Sequence, residues 1–215
     1  MSYLDAGPQE LKTGTTTVGI MTKNAVVLAA DKQATLGHLG YDLEAQKVYK
    51  ITDNIAVTNA GSVGDSLTII RFLRSKAKLY ETDRERKITP RALTTYLSNV
   101  LNANRYYPYS VQFIIGGIAD KPQLFEITAF GGVLERREFA TSGSGTTLAL
   151  SILDQNYKKE MTEEEGIALA VKAVNASKKR DIYTGGKSIA VMVIDGNGVR
   201  EIPMSIVEKH IKKNK

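Results

Sequence analysis

The stretch TTTVGIMTKNAVVLAAD, residues 15–31, indicates how the chain begins to fold, because two β-branched runs flank a turn. TTTVGI (15–20) and AVVLAAD (25–31) are rich in residues that favour strands, and Lys23-Asn24 is typical of a turn. VYKI (48–51) predicts a further strand. We therefore expect the chain to open with short strands.

Two helices are predicted to follow these strands. Apolar residues from Leu67 to Tyr80 recur every three or four positions, which predicts one amphipathic helix. Thr89 can accept a backbone N–H as the N-cap of a second helix, and Pro90 fits its first turn. We expect Tyr107-Pro108 to end that helix.

The rest of the chain repeats the order of strands, two helices and strands. The predicted strands are VQFIIGGIA (111–119), QLFEITAF (123–130), GVLERREFA (132–140), SIAVMVID (188–195) and VREIP (199–203). The predicted helices lie around 148–157, after a capping box of Thr162 and Glu165, and at 204–213. Runs of strands and of helices, without strict alternation, favour an α+β fold with helices on the outer faces of antiparallel sheets.

Composition excludes several classes of protein. With 215 residues and 42% apolar content, the chain is long enough for one domain with a sizeable core. It has no cysteine, which excludes disulfides, a thiol nucleophile and zinc–thiolate sites. Four lysines of the tail KHIKKNK (209–215) contribute to the net charge of +6, so we expect an ordinary surface and no nucleic-acid partner.

Neither a membrane helix nor a secretion signal is predicted. No apolar run approaches the ~18 residues that a membrane-spanning helix needs. The first ten residues, MSYLDAGPQE, carry acids and a proline where a signal peptide has an apolar stretch. We expect a soluble, cytoplasmic protein with no membrane partner.

Motifs for metal and phosphate binding are weak. His38 and His210 lie far apart and lack carboxylates at ligand spacing, so we expect no metal site and no cofactor. GGKS (185–188) resembles the end of a phosphate-binding loop, but Asp181 stands where that motif needs glycine. SGSGTT (142–147) leaves two interpretations open, an anion-binding loop or a tight strand-to-helix turn.

LKTGTTTVGI (11–20) offers a different chemistry. Threonines at the start of a strand are ordinary in themselves, since threonine favours strands. A threonine hydroxyl can nevertheless act as a nucleophile when a free α-amino group beside it serves as the base. Such an amine has a pKa of about 7.7–8.0, so no histidine is required. This chemistry requires a removable leader, so that threonine becomes the first residue.

Six blocks of sequence, in order, resemble the landmarks of proteasome β subunits, most closely those of the archaeal type. The blocks are GTTTVGI (14–20), AADK (29–32), QKVYKI (46–51), AGSVGD (60–65), TSGSGT (141–146) and RDIYTGG (180–186). The resemblance extends from Thr15 almost to the end of the chain. It implies the N-terminal-nucleophile hydrolase fold, a four-layer αββα sandwich of two antiparallel sheets flanked by helices.

The resemblance also implies an activity, that of a threonine endopeptidase. Thr15, rather than Thr16 or Thr17, matches the nucleophile that is freed when the Gly14-Thr15 bond is cut. Residues 1–14 would then be an autocleaved propeptide and residues 15–215 the catalytic domain. Asp31 and Lys47 match the acid and the lysine of the active site, although alone they would be interpreted as a salt bridge.

Further site residues follow from the same resemblance. Gly61 matches the residue whose backbone N–H stabilises the oxyanion. Ser144, Asp181 and Thr184 match the polar cluster around the amine of the nucleophile. Thr184 is a departure, because many members of the family have serine there, but the hydroxyl is kept.

A substrate pocket is implied as well. Ala34, Ala45, Asn59 and Val63 match the residues that line the first specificity pocket. Asn59 is polar where an apolar residue is common in archaeal members. We therefore expect a small or mixed pocket that discriminates modestly between apolar side chains.

By resemblance, the partners are other β subunits and α-subunit rings in stacked heptameric αββα rings, a proteasome-activating ATPase, and unfolded protein substrates. Two alternatives remain open at this point. One is a weakly active or structural β subunit of a mixed β ring, which would keep its leader. The other is a different N-terminal-nucleophile amidohydrolase, which would hydrolyse small amides without forming rings.

Overall fold

The computed structural model describes residues 14–37 and 39–213. The strands within these residues are β1 (Thr17–Met21), β2 (Val26–Asp31), β3 (Ala34–Leu36), β4 (Leu39–Asp42), β5 (Val48–Thr52), β6 (Ile55–Gly61), β7 (Val111–Ile118), β8 (Pro122–Ile127), β9 (Val133–Arg136), β10 (Phe139–Ser142), β11 (Ile189–Asp195) and β12 (Gly198–Glu201). The helices are α1 (Val63–Arg84), α2 (Pro90–Ala103), α3 (Thr146–Asn156), α4 (Glu163–Lys178) and α5 (Met204–Lys213).

Two five-stranded antiparallel sheets form the centre of the fold. The first has the strand order β10-β1-β2-β11-β12, and the second has the order β5-β6-β7-β8-β9. Helices α3, α4 and α5 pack outside the first sheet, and α1 and α2 pack outside the second. The predicted α+β sandwich, with helices on the outer faces of antiparallel sheets, is therefore confirmed.

Strand β2 explains why its sequence is a continuous apolar run. Val27 and Ala29 pack in the cluster beneath α3 and α4, whereas Val26, Leu28 and Ala30 pack in the cluster between the two sheets. Alternate side chains of a strand point to opposite faces, so a strand covered on both faces needs apolar residues at every position.

Local signals for the starts of helices are confirmed. The Thr89 side chain caps α2 by accepting from the Ala92 N–H, and Pro90 is the first residue of that helix. Thr162 and Glu165 form the complete capping box at the start of α4. The predicted hairpin of β11 and β12 is also present.

Within the described residues, no helix is long and apolar enough to cross a membrane.

Three predicted boundaries were wrong. The segment 132–140 is not one strand, because β9 pairs with β8 in the second sheet and β10 pairs with β1 in the first. The chain crosses between the sheets at Arg137 and Glu138, which a pattern of alternating residues does not reveal. Helix α2 ends at Ala103, before Tyr107, because the Asn104 side chain donates to the carbonyl of Val100.

The third error concerns the start of β1, which begins at Thr17 instead of Thr15. The Thr16 N–H donates to the side chain of Asp31 in place of a strand carbonyl. The hairpin of β3 and β4 was not predicted from the sequence. Gly37, with a φ of 61°, lies directly after β3.

Candidate active site

The site forms where three strands begin or end. Thr15 lies two residues before β1, Asp31 is the last residue of β2, and Lys47 directly precedes β5. Strands β1 and β2 are antiparallel neighbours, so the start of one lies beside the end of the other. Lys47 directly precedes a strand of the second sheet, so the site lies where the two sheets meet.

Lys47 joins the two other side chains. Its Nζ atom lies 2.8 Å from Thr15 Oγ1 and 2.9 Å from Asp31 Oδ1. The exposed fractions of Thr15, Asp31 and Lys47 are 4%, 0% and 6%. Two opposite charges and a hydroxyl are thus held together away from water, which makes their electrostatic interaction stronger than at a surface.

The carboxylate of Asp31 accepts three backbone hydrogen bonds in addition to its contact with Lys47. Its Oδ1 accepts from the Thr16 N–H at 3.0 Å, and its Oδ2 accepts from the N–H groups of Gln33 and Gly185 at 3.0 and 2.9 Å. Hydrogen bonds to a carboxylate are roughly twice as strong as those between neutral groups. Asp31 is therefore built to hold a cation in a fixed place.

Burial lowers the pKa of Lys47 below its usual range, and the negative charge of Asp31 opposes that shift. The more distant charge of Asp181 also favours the ammonium form. Desolvation disfavours a charged amine, so its proton is held less tightly than on a surface lysine. Lys47 is suited both to stabilise negative charge on the Thr15 oxygen and to exchange a proton with it.

A second group of polar residues surrounds the backbone nitrogen of Thr15. The Thr15 N–H donates to Ser144 Oγ at 3.1 Å, and Ser144 donates to Asp181 Oδ2 at 2.5 Å. Thr184 also donates to Asp181 Oδ2, and its hydroxyl lies 2.7 Å from that of Thr16. The predicted cluster of Ser144, Asp181 and Thr184 is thus contiguous with Thr15.

Gly61 has a backbone that requires glycine. Its φ is 114°, and a Cβ at this position would overlap the carbonyl oxygen of Ser110. The next residue, Ser62, donates its N–H to that same carbonyl at 2.7 Å. Left-handed φ values of this kind strain any residue with a side chain. The 61–62 peptide is therefore fixed in place.

A cavity of about 490 Å³ opens directly beside Thr15, Lys47 and Gly61. All four residues predicted for the substrate pocket line it: Ala34, Ala45, Asn59 and Val63. The unpredicted hairpin of β3 and β4 adds Thr35, Leu36 and Tyr41 to its wall.

Asn59 is the polar exception in this cavity. It is 6% exposed, and its Oδ1 atom has no hydrogen-bond partner among the described residues. An unpaired buried carbonyl costs folding free energy. Asn59 therefore gives the cavity a polar wall at a cost in stability.

Sequence reasoning missed three groups that complete the site. Thr16 bonds through both its N–H and its hydroxyl, and the backbone N–H groups of Gln33 and Gly185 hold Asp31. Backbone donors carry no residue-type signal. The proximity of Thr16 to Thr15 in GTTT was the one hint available.

The two glycine-containing motifs have structural roles here. In SGSGTT, the N–H groups of Gly143 and Gly145 donate to Gln112 and Thr15, so they are not free for an anion. Both glycine N–H groups thus have partners within the fold, which favours the tight-turn interpretation. In GGKS, the Gly185 N–H donates to Asp31, and Lys187 pairs with Glu44.

No group of His, Asp and Glu able to hold a metal occurs among residues 14–37 and 39–213, and His38 lies outside them.

Comparison with known proteins identifies the family to which this chain is similar. A family model described as "Proteasome subunit" matches residues 11–194. "Proteasome subunit beta 2" of Thermococcus gammatolerans is 47% identical over 193 residues, covering 90% of this chain and 96% of that protein. "Proteasome subunit beta 1" of Pyrococcus furiosus is 45% identical over 192 residues, covering 89% and 97%. "Proteasome subunit beta 2" of the same organism is 42% identical over 199 residues, covering 93% and 96%.

Proposed function

This chain belongs to the proteasome subunit family and is similar to β subunits over 90% of its length, and we propose that it is a threonine endopeptidase with Thr15 as its nucleophile. The observation that carries the proposal is the buried contact of Lys47 Nζ with Thr15 Oγ1 at 2.8 Å and Asp31 at 2.9 Å. A positive charge beside a hydroxyl favours its alkoxide form, and the carboxylate keeps that charge in position.

The first step is self-cleavage at Gly14-Thr15. Thr15 Oγ1 attacks the carbonyl carbon of Gly14, the C–N bond breaks, and the hydroxyl proton ends on the freed nitrogen. Water then hydrolyses the resulting ester, releasing residues 1–14 and restoring the hydroxyl. Support comes from the Thr15 hydroxyl, which donates to the Gly14 carbonyl oxygen at 2.6 Å, with Lys47 Nζ 3.5 Å from that oxygen.

The second step is cleavage of a substrate peptide. The freed α-amine of Thr15, with a pKa of about 7.7–8.0 in the absence of perturbation, takes the hydroxyl proton and passes it to the leaving amine. The Gly61 N–H stabilises the oxyanion, and water clears the ester. Ser144, Asp181 and Thr184 orient the amine, because Ser144 already contacts the Thr15 nitrogen.

The substrate side chain before the cut enters the cavity beside Ala34, Ala45, Asn59 and Val63.

Neither metal nor organic cofactor takes part in this scheme. The family implies assembly with other proteasome subunits. We further propose that the chain assembles into stacked rings of α and β subunits in the cytoplasm. An ATPase would feed unfolded proteins into these rings.

Intact-mass measurement of the assembled particle tests the proposal. The chain is co-expressed with a proteasome α subunit, and the purified complex is assayed for mass and peptide hydrolysis. We expect wild type to begin at Thr15, and Thr15→Ala to keep residues 1–14 and to be inactive. Thr17→Val is the matched control, because the Thr17 hydroxyl contacts Ser142 and not the site.

Two results would count against the proposal. Peptide hydrolysis by the Thr15→Ala particle would exclude Thr15 as nucleophile. A wild-type particle that keeps residues 1–14 and hydrolyses nothing would favour the alternative, a structural β subunit of a mixed ring. Membership of the proteasome family argues against the other alternative, a different N-terminal-nucleophile amidohydrolase.

A further inference from the structure

Gly14, the residue before the proposed nucleophile, is packed against the side chain of Tyr183. A Cβ atom added to Gly14 would overlap the Cβ of Tyr183, and it would come within 2.6 Å of Tyr183 Cγ and 2.8 Å of Ser144 Oγ. Contacts below 3.0 Å between such carbon atoms are not found in real structures, so one of the two residues would have to move. The space beside Thr15 therefore admits glycine alone.

From this packing we infer that Tyr183 is a positioning residue for self-cleavage, which holds the Gly14 carbonyl at the Thr15 hydroxyl and restricts position 14 to glycine. The inference rests on the proposed function, since it concerns the same self-cleavage step. It adds a residue that the predicted set of Thr15, Asp31, Lys47, Gly61, Ser144, Asp181 and Thr184 does not contain.

Tyr183 cannot easily retreat from Gly14, because the loop that carries it is held on both sides. Its own N–H donates to Asp181 Oδ1 at 3.1 Å, and the Thr184 N–H donates to the Asp181 carbonyl at 3.2 Å. Beyond it, the Gly185 N–H donates to Asp31, and Lys178 donates to the Gly186 carbonyl at 2.8 Å. A side chain at position 14 would therefore displace the leader, not the loop.

Displacement of the leader would separate the reacting groups. The Gly14 oxygen lies 2.6 Å from Thr15 Oγ1 and 3.5 Å from Lys47 Nζ. A shift of about 1 Å in such an arrangement can slow a reaction by about a hundredfold. The room between position 14 and Tyr183 therefore controls the rate of self-cleavage.

The same packing separates self-cleavage from substrate cleavage. A substrate residue with a side chain cannot occupy the position of Gly14, since its side chain would overlap Tyr183. Its side chain must instead enter the cavity lined by Ala45 and Asn59. The Thr15 hydroxyl would then be approached by the leader on the side of Tyr183 and by a substrate on the side of the cavity. Only the leader would be restricted to glycine next to Thr15.

The test is a suppressor experiment, with the rate of loss of residues 1–14 measured by intact mass during assembly with an α subunit. We expect Gly14→Ala to slow this loss by about a hundredfold. Adding Tyr183→Gly, which removes the overlapping Cβ, should restore most of the rate. Adding Tyr183→Ala is the matched control, because alanine removes the ring but keeps the Cβ, and it should restore little.

Three outcomes would overturn the inference: Gly14→Ala cleaved at the wild-type rate, equal rescue by Tyr183→Ala and Tyr183→Gly, or no rescue by either. If the Tyr183→Gly particle does not assemble, Gly14→Ala is compared with Gly14→Val in the wild-type loop. Strong slowing by alanine supports overlap at the first side-chain carbon, whereas slowing by valine alone contradicts it. Failure of the proposed function is separate, since wild type itself would then keep residues 1–14.

Discussion

The carboxylate of Asp31 and the backbone N–H of Gly185 are joined by a hydrogen bond of 2.9 Å across 154 positions of sequence. Through this bond, the residue that holds Lys47 also holds the loop that carries Asp181 and Thr184. The lysine side and the amine side of the site are therefore connected by one buried side chain. A change at Asp31 should affect both.

Asp31→Asn keeps the shape of the side chain but removes its charge. We expect kcat/KM for peptides to fall by a factor on the order of 10³ to 10⁴, as when an orienting carboxylate is neutralised in other hydrolases. The variant should also lose about 3–5 kcal/mol of unfolding free energy, because Lys47 becomes a buried charge without its partner. Activity assays and denaturant titration measure the two effects.

Glu44→Gln is the matched control for Asp31→Asn. It breaks the ion pair of Glu44 with Lys187, whose side chains are 64% and 67% exposed. Exposed pairs contribute about 0–1 kcal/mol, so stability should change little. A loss as large as that of Asp31→Asn would contradict the distinction between the buried and the exposed pair.

The pH dependence of activity should report on Lys47. Burial lowers its pKa from the ordinary 10.5, so the ammonium loses its proton at a lower pH in the folded protein than in the unfolded chain. In that interval the unfolded chain binds more protons, and the contribution of Lys47 to unfolding free energy therefore rises with pH. Activity should fall over the same interval, because the positive charge beside Thr15 is lost.

Measured kcat/KM against pH should therefore show an alkaline limb below pH 10.5. In Asp31→Asn, where the opposing charge is absent, the limb should move to still lower pH. A limb that stays at the same pH in both proteins would mean that Lys47 is not the titrating group.

Two substitutions of Thr184 distinguish the role of its hydroxyl from that of its methyl group. Thr184→Ser keeps the contacts to Thr16 and Asp181 and should cost about 1 kcal/mol for the lost buried methyl, with activity preserved. Thr184→Ala removes both contacts, and kcat/KM should fall between about tenfold and a hundredfold through misplacement of the amine.

Thr94→Ser, on α2, is the control for the methyl group, because Thr94 is equally buried and remote from the site. Its loss of unfolding free energy should match that of Thr184→Ser. Equal activity of Thr184→Ala and wild type would remove Thr184 from the site.

Asn59 should limit the preference for apolar substrates. Wild type should discriminate modestly among fluorogenic peptides with apolar residues before the cut, without a strong preference for basic ones. Asn59→Leu should raise kcat/KM for large apolar residues roughly tenfold, because the cavity wall becomes apolar. Removing the unpaired carbonyl should also raise stability by about 1–3 kcal/mol.

Thr58→Val is the matched control for Asn59→Leu. The Thr58 hydroxyl is likewise buried without a partner among the described residues, but Thr58 does not line the cavity. It should gain stability and leave substrate preference unchanged. A strong basic preference in wild type, or a shift caused by Thr58→Val, would contradict the assignment of Asn59.

The sequence by itself determined the order of strands and helices and the positions of caps such as Thr89 and Thr162. These features depend on side-chain period and on contacts within a few residues, which a linear pattern records. The six ordered blocks also allowed the site residues to be named one by one. That step used resemblance, since nothing in GTTT alone separates a nucleophile from the start of a strand.

Only the tertiary structure decided how distant segments meet. It divided 132–140 between the two sheets, formed the hairpin of β3 and β4 against the cavity, and brought Ser144 to the nitrogen of Thr15 across 129 positions. It also set Tyr183 against Gly14. Strand pairing and close packing join residues whose separation in sequence carries no periodic signal, so their partners are fixed only when the two sheets pack together.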